Sequence, residues 1–415
     1  MKIKFRYIIY VVIIIMVAVI AFFSWEERRT PDTPLQTNQA SKEQIQRGEY
    51  LAKLGDCASC HTAENGAMLA GGYAMDTPFG LLYSSNLTPS ADYGIGRWTS
   101  DDFYRAMTDG VAPPNRNLYP AMPYTYFTNI TREDSDALYA YLMSIPAIDV
   151  AIPENELGFP FNQRMMLMGW NLLFLDKTPL PAISEGDSEA WKRGKYIVDT
   201  LGHCAMCHSP MGELGELERD KLLQGGILGS FQAPNITPKG LAERGWTKAD
   251  LKTYFKEGIA PQGSAFSDMY LVIKNSTQYL SESDIDAIAT YLMGDKPLAP
   301  REIATKEVAA GAPGRDLYLN MCAGCHNDDG LGKPNVAVSM IGNSTINNPD
   351  SHNLITAILE GLPWQTFPNY ERFQSMPAFK NELTDEEIAT LVNYLRTTYA
   401  DLPGDVTSHE VKALR

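Results

Sequence analysis

All six cysteines of this 415-residue chain fall in three pentapeptides: Cys57-Ala-Ser-Cys60-His61, Cys204-Ala-Met-Cys207-His208 and Cys322-Ala-Gly-Cys325-His326. Two thiols three residues apart beside an imidazole suit three kinds of chemistry. C-x-x-C-H is the attachment signature of a c-type haem: each thiol forms a thioether with a vinyl group, and the adjoining His is carried under the iron. Zinc also accepts Cys and His at short spacing, but a tetrahedral site needs a second half-site in each repeat, and no cysteine remains to supply one. A redox-active dithiol is the third reading, and it gives no reason for the His in every copy. The repetition points to three covalently bound haem c groups. Cys57, Cys60, Cys204, Cys207, Cys322 and Cys325 are then the attachment residues, and His61, His208 and His326 the proximal iron ligands.

What fills the opposite side of the iron separates an electron carrier from a catalyst. Each repeat places one Met downstream at a comparable point: Met122 in Ala-Met-Pro, Met269 in Ser-Asp-Met-Tyr and Met376 in Ser-Met-Pro. Met122 and Met269 both lie 65 residues after the first cysteine of their motif, and Met376 lies 54 after. These three are expected as the second axial ligands. With both positions taken, no catalytic residue is expected and the chain should move single electrons. Met206 and Met211, close to the second motif, read as packing residues. His203, His352 and His409 read as solvated residues, and Trp98 and Trp246 as core aromatics. No nucleophile elbow, dinucleotide fingerprint or zinc-protease motif is present.

The elements that must hold these residues recur as well. A short helical stretch opens on Gly48, Gly194 or Gly314 and leads into each motif. Asn86-Leu-Thr-Pro89 and Asn235-Ile-Thr-Pro238 follow the first two motifs, and then Trp98 and Trp246 at 41 and 42 residues from the first cysteine; the third repeat lacks both features. A helix then ends in acid-Gly at Gly110, Gly258 and Gly361, where glycine suits a left-handed cap. A last helix opens on a Ser/Thr-x-x-acid capping pattern at Thr131, Ser281 and Thr384. Gly71-Gly72 and Gly225-Gly226 match no phosphate cradle and read as places where the backbone passes close to the cofactor.

The fold expected is mostly α: three tandem class I cytochrome c-like domains behind an N-terminal transmembrane or signal helix. The boundaries are 1–29 for the membrane anchor or signal segment, 30–150 for the first domain and 151–186 for an apolar interdomain segment. They continue with 187–297 for the second domain, 298–313 for a linker, 314–402 for the third domain and 403–415 for a polar tail. The interdomain segment carries Met165 to Leu175, apolar enough to be either a helix packed between domains or an exposed contact patch.

Lys2, Lys4 and Arg6 precede an unbroken apolar run of 17 residues, Tyr7 to Phe23. As a helix this run covers about 25 Å, and its flanks extend it to the length of a membrane span. Phe22 and Phe23 spoil a small-x-small cleavage site and favour a retained anchor; cleavage after Ala21 is the other reading. Both place residues 30–415 outside the cytoplasm, on the periplasmic side of an inner membrane. The composition, 44% hydrophobic and 20% charged, is that of a globular protein. A net charge of −15 is the wrong sign for neutralising phosphates, so no nucleic-acid partner is expected.

With its three haem motifs, two Asn-x-Thr-Pro loops, Phe159-Pro-Phe161-Asn-Gln-Arg164 segment and Met loops, the sequence resembles the triheme cytochrome c subunits of membrane-bound bacterial dehydrogenases. Gluconate, alcohol, sorbitol, fructose and aldehyde dehydrogenases have such subunits, and the likeness covers about residues 42 to 400. It implies a separate catalytic dehydrogenase subunit carrying flavin, pyrroloquinoline quinone or molybdopterin. Electrons would pass from that partner through the haems to ubiquinone or another acceptor. On this resemblance the nine motif residues match the attachment sites, and Met122, Met269 and Met376 the axial positions. A cleaved leader is frequent in such subunits, so the long N-terminal run is a departure. Other roles for the same haem domains are a multihaem peroxidase, a terminal-oxidase subunit and a soluble shuttle.

Overall fold

Ser and Thr side chains that accept a hydrogen bond from the backbone three residues on start most of the helices. The computed structural model describes residues 40–303 and 311–415, together with 34–36 and Tyr7, Tyr10, Val11 and Ile14. The expected anchor or signal helix at 1–29 lies outside the described residues apart from those four positions. Among the described residues no helix is long and apolar enough to cross a membrane. The chain divides into two compact units, residues 1–179 and 180–415. The first holds one haem motif and the second holds two.

In the first unit α1 (Lys42–Leu54) leads to a helical turn, Cys57–His61. A small antiparallel sheet follows, β1 (Ala74–Thr77) and β2 (Gly80–Tyr83), then α2 (Ser100–Asp109) and α3 (Arg132–Leu142). Strand β3 (Glu156–Leu157) pairs with β2, and α4 (Met166–Phe174) ends the unit. The segment read as interdomain therefore belongs to the first unit as far as Pro179. Its inner side is fixed by Tyr124, whose hydroxyl donates to Asn171 at 2.6 Å and whose ring meets Trp170 edge-on. Arg164 lies over the Tyr119 ring and donates to the Asn117 carbonyl. Leu172 and Leu173 on the same helix are exposed.

In the second unit α5 (Glu189–Tyr196) runs into a π-helical turn, Ile197–Leu201, before the second motif. The cause is arithmetic: ten residues separate Gly194 from Cys204, against nine between Gly48 and Cys57, and a π turn absorbs one extra residue. Strands β4 (Gly226–Leu228) and β5 (Phe231–Ala233), then α6 (Lys248–Glu257), α7 (Asp268–Asn275) and α8 (Glu282–Met293) complete this repeat. The third repeat uses α9 (Arg315–Met321), α10 (His352–Glu360) and α11 (Asp385–Tyr399). Residues 403–415, read as a polar tail, form a capped helix, α12 (Ser408–Leu414), with Val411 fully buried and Arg415 paired with Asp385. Part of the linker, 304–310, is outside the described residues. Arg301 before it donates to Asn347 and to the Ala400 carbonyl, which ties the linker to the third repeat.

In each repeat the first and last helices cross at a glycine. A methyl group at Gly48 would lie 1.8 Å from the Ala137 carbonyl oxygen, and one at Gly194 1.9 Å from that of Ala287. Ion pairs brace two of the crossings, Arg47 to Asp134 at 2.6 Å and Arg193 to Asp284 at 2.8 Å. Each of those acids also sits in the first turn of the helix opened by the expected caps Thr131 and Ser281. Gly194→Ala must push α5 off α8, so a loss of about 1–3 kcal/mol is expected. Gly169→Ala on α4 meets no atom within 4 Å and should instead stabilise by about 0.5–1 kcal/mol. Thermal melting of the two variants should therefore shift in opposite directions.

Candidate haem-binding sites

Each motif His is held in the same way. His61 Nδ1 lies 2.7 Å from the Ser85 carbonyl oxygen, His208 Nδ1 2.7 Å from that of Pro234, and His326 Nδ1 3.0 Å from that of Val338. A carbonyl can only accept, so Nδ1 carries the proton and the lone pair is left on Nε2. This is the arrangement that orients a metal-bound imidazole and raises its basicity. Burial lowers the pKa of all three rings, His208 to about 4, so they are neutral at physiological pH, as a ligand must be.

Side-chain turns place those carbonyls. Asn86 Oδ1 accepts from the backbone N–H and the hydroxyl of Thr88, at 2.8 and 2.7 Å, and Asn235 does the same for Thr237 at 2.9 and 2.7 Å. The residues immediately before these asparagines are Ser85 and Pro234. In the third repeat Ser339 stands in the Asn position, and its hydroxyl accepts from the Ile341 N–H at 3.0 Å. The third repeat thus lacks the Asn-x-Thr-Pro letters yet keeps the turn, which sequence reading missed. A Ser two residues before an Ile, with Val ahead of it, is a weak signal.

Glycines bring the following loop against the motif turn. Gly71, Gly225 and Gly332 donate to the carbonyls of His61, His208 and His326 at 2.8, 2.8 and 3.0 Å. All three have positive φ, and a methyl on Gly71 would meet the Ser85 carbonyl carbon at 2.5 Å. No disulfide joins the cysteines of any motif. Burial pushes the thiols of Cys57 and Cys204 up to about 12 and that of Cys322 to about 11, the opposite of the lowered pKa that activates a redox thiol. Asp56, beside Cys57, accepts from Ser59 and is raised by burial to about 7. Among the described residues no three His, Cys, Asp or Glu side chains converge as a metal-ion cage requires. The donor set therefore fits haem c: two thiols and a pre-oriented neutral imidazole in every repeat.

The three methionines lie between the acid-Gly and the last helix of their repeats, each partly buried. Met122 is pinned by its N–H to the Tyr119 carbonyl at 2.9 Å, and its own carbonyl accepts from Tyr124 at 2.7 Å. Met376 exchanges two backbone hydrogen bonds with Leu362, at 3.0 and 2.9 Å. Met269 sits in the first turn of α7. Gly110 and Gly258 adopt the left-handed cap expected of them, whereas Gly361 has φ 73 and ψ −179, which brings it against the Met376 carbonyl. Met211, read as packing, is 42% exposed. His352 Nε2 lies 2.8 Å from the Ser230 carbonyl oxygen, so it joins the second and third repeats. His203 has φ 37, and His409 is exposed on α12. Trp246 is buried and donates to Ser344 at 3.1 Å; Trp98 is half-buried.

The cytochrome c family model matches residues 45–146 and 311–399. The chain is 36% identical to the fructose dehydrogenase cytochrome subunit of Gluconobacter japonicus, over 93% of this chain and 85% of that protein. It is 33% identical to the gluconate 2-dehydrogenase cytochrome c subunit of Pantoea cypripedii, over 92% and 91%. It is 38% identical to a nicotinate dehydrogenase subunit of Pseudomonas putida, over 91% of this chain; of that longer protein the chain spans about a third, 32%.

Proposed function

We propose that this chain, which belongs to the family of dehydrogenase cytochrome c subunits, is a triheme electron-transfer subunit. It takes electrons from a catalytic dehydrogenase subunit bearing flavin, pyrroloquinoline quinone or molybdopterin. It delivers them to ubiquinone or another respiratory acceptor. It works on the periplasmic side of the inner membrane, attached or exported through its N-terminal apolar run. The observation that carries the reading is the threefold pairing of a C-x-x-C-H histidine with a backbone carbonyl.

Haem c supplies reversible one-electron exchange; the chain's own residues do the rest. The cysteine pairs would fix the group covalently, and the carbonyls of Ser85, Pro234 and Val338 hold the imidazoles in one tautomer. Met122, Met269 and Met376 would supply the remaining iron ligands, which would exclude small ligands and raise the potential. Three such centres let a two-electron donor be drained one electron at a time. The test is a potentiometric optical titration of the purified chain, followed by mixing with the co-purifying dehydrogenase and its substrate. Three one-electron steps, and reduction of all three centres on adding substrate, are expected. Failure of substrate to reduce any of them overturns the assignment.

A further inference from the structure

The second repeat contains a buried charged cluster that holding and closing the haem does not require. Asp199 lies in the π-helical turn five residues after Gly194 and is 7% exposed. Lys195 Nζ donates to it, and so does the hydroxyl of Tyr291 from α8, at 3.1 Å. Tyr291 has no exposed surface and packs edge-on against Trp191. Cys204, the attachment cysteine, donates its backbone N–H to Val198 in the same turn at 3.1 Å, so the carboxylate stands next to the haem's point of attachment. The corresponding positions in the other repeats, five residues after Gly48 and Gly314, are Lys53 and Leu319. Lys53 is 43% exposed and pairs with Glu49. A buried acid at this place is thus peculiar to the second repeat, as is the extra residue that turns it inward.

We propose that Lys195, Asp199 and Tyr291 form a proton-binding site linked to reduction of the second haem, an inference that rests on the haem assignment above. When one electron arrives from the donor, Asp199 gains an O–H bond to a proton taken from solvent. Both leave on reoxidation, so the buried region keeps its net charge. The physical reason is that added negative charge beside a desolvated carboxylate disfavours its ionised form. Burial already holds this group near 6, inside the physiological range. The charged and titratable groups facing it are Lys195 on its own helix and Tyr291 on α8; the neighbouring Cys204 sulfur would be an uncharged thioether once haem is attached. Arg193 and Asp284 on the same two helices pair with each other. Lys195, 24% exposed in its side chain, gives the cluster its contact with water.

The test is the pH dependence of the second haem's midpoint potential, measured on the full haem-loaded chain. That centre is identified as the one lost from a Cys204→Ala/Cys207→Ala variant. Its potential is expected to fall as pH rises from about 5 to 8, with a steepest slope approaching 59 mV per tenfold drop in proton activity. Asp199→Asn should flatten the slope while keeping three haems per chain. Lys195→Met should move the sloping region to higher pH, because the removed cation no longer favours the carboxylate. An Asp199→Asn protein with three haems and an unchanged slope overturns the proposal, as does a flat profile in the unaltered protein. A chain with fewer than three haems before any substitution overturns the underlying assignment instead.

Discussion

Reduced Met376→Ala protein is expected to bind carbon monoxide at one haem per chain, where the unaltered protein binds none. The side chain reaches its position from a backbone clamped by two hydrogen bonds to Leu362 and by the close approach of Gly361. Truncating it leaves the clamp in place and removes only the thioether. The vacated side would then accept an external ligand, and the centre's potential would drop by a sizeable part of the roughly 0.8 V that axial ligands span. Reduced-minus-CO difference spectra and potentiometry read both effects. Met122→Ala and Met269→Ala should each open a different single centre. A Met376→Ala protein with unchanged potentials and no CO binding would show that another group closes the third centre.

The Cys204→Ala/Cys207→Ala protein is expected to hold two haems instead of three and to lose coupled electron delivery from dehydrogenase to acceptor. On the proposed ligand set, a second haem without its thioethers would depend on His208 and Met269 alone. The second repeat folds in one unit with the third. Ser344 of the third repeat accepts from both Arg244 and Trp246 of the second, and Tyr270, next to Met269, donates to the Thr366 carbonyl at 3.0 Å. Loosening one repeat therefore lowers the melting temperature of the whole unit. Haem content by pyridine haemochromogen, calorimetry and substrate-driven quinone reduction check the three consequences. Full delivery with two haems would place the second centre off the electron path.

Much of this arrangement was legible in the letters because it rests on local chemistry. Thr131, Ser281 and Thr384 cap the last helices because a short hydroxyl side chain three residues before an acid satisfies backbone donors without help from the rest of the fold. The Asn86 and Asn235 turns are local for the same reason, and Ser339 escaped notice because a serine can make that turn without a distinctive neighbour. What depended on distant packing was not legible. Two apolar residues, Val406 and Val411, bury the end of a chain that otherwise reads as polar. The close approach of Gly361 to Met376 selects a backbone conformation other than the left-handed cap. The union of the second and third repeats in one unit is made by scattered contacts, such as the Ser344 N–H donating to the Gln262 carbonyl and the Tyr270 ring edge-on to Phe367, that have no sequence pattern.

Haems can be counted on the intact, purified chain, with intact mass and pyridine haemochromogen absorbance read against protein concentration. Three covalently bound haems per polypeptide, all low-spin and unreactive to carbon monoxide when reduced, are expected. A colourless protein, two haems or fewer, or a centre open to carbon monoxide in the unaltered chain would contradict the triheme assignment.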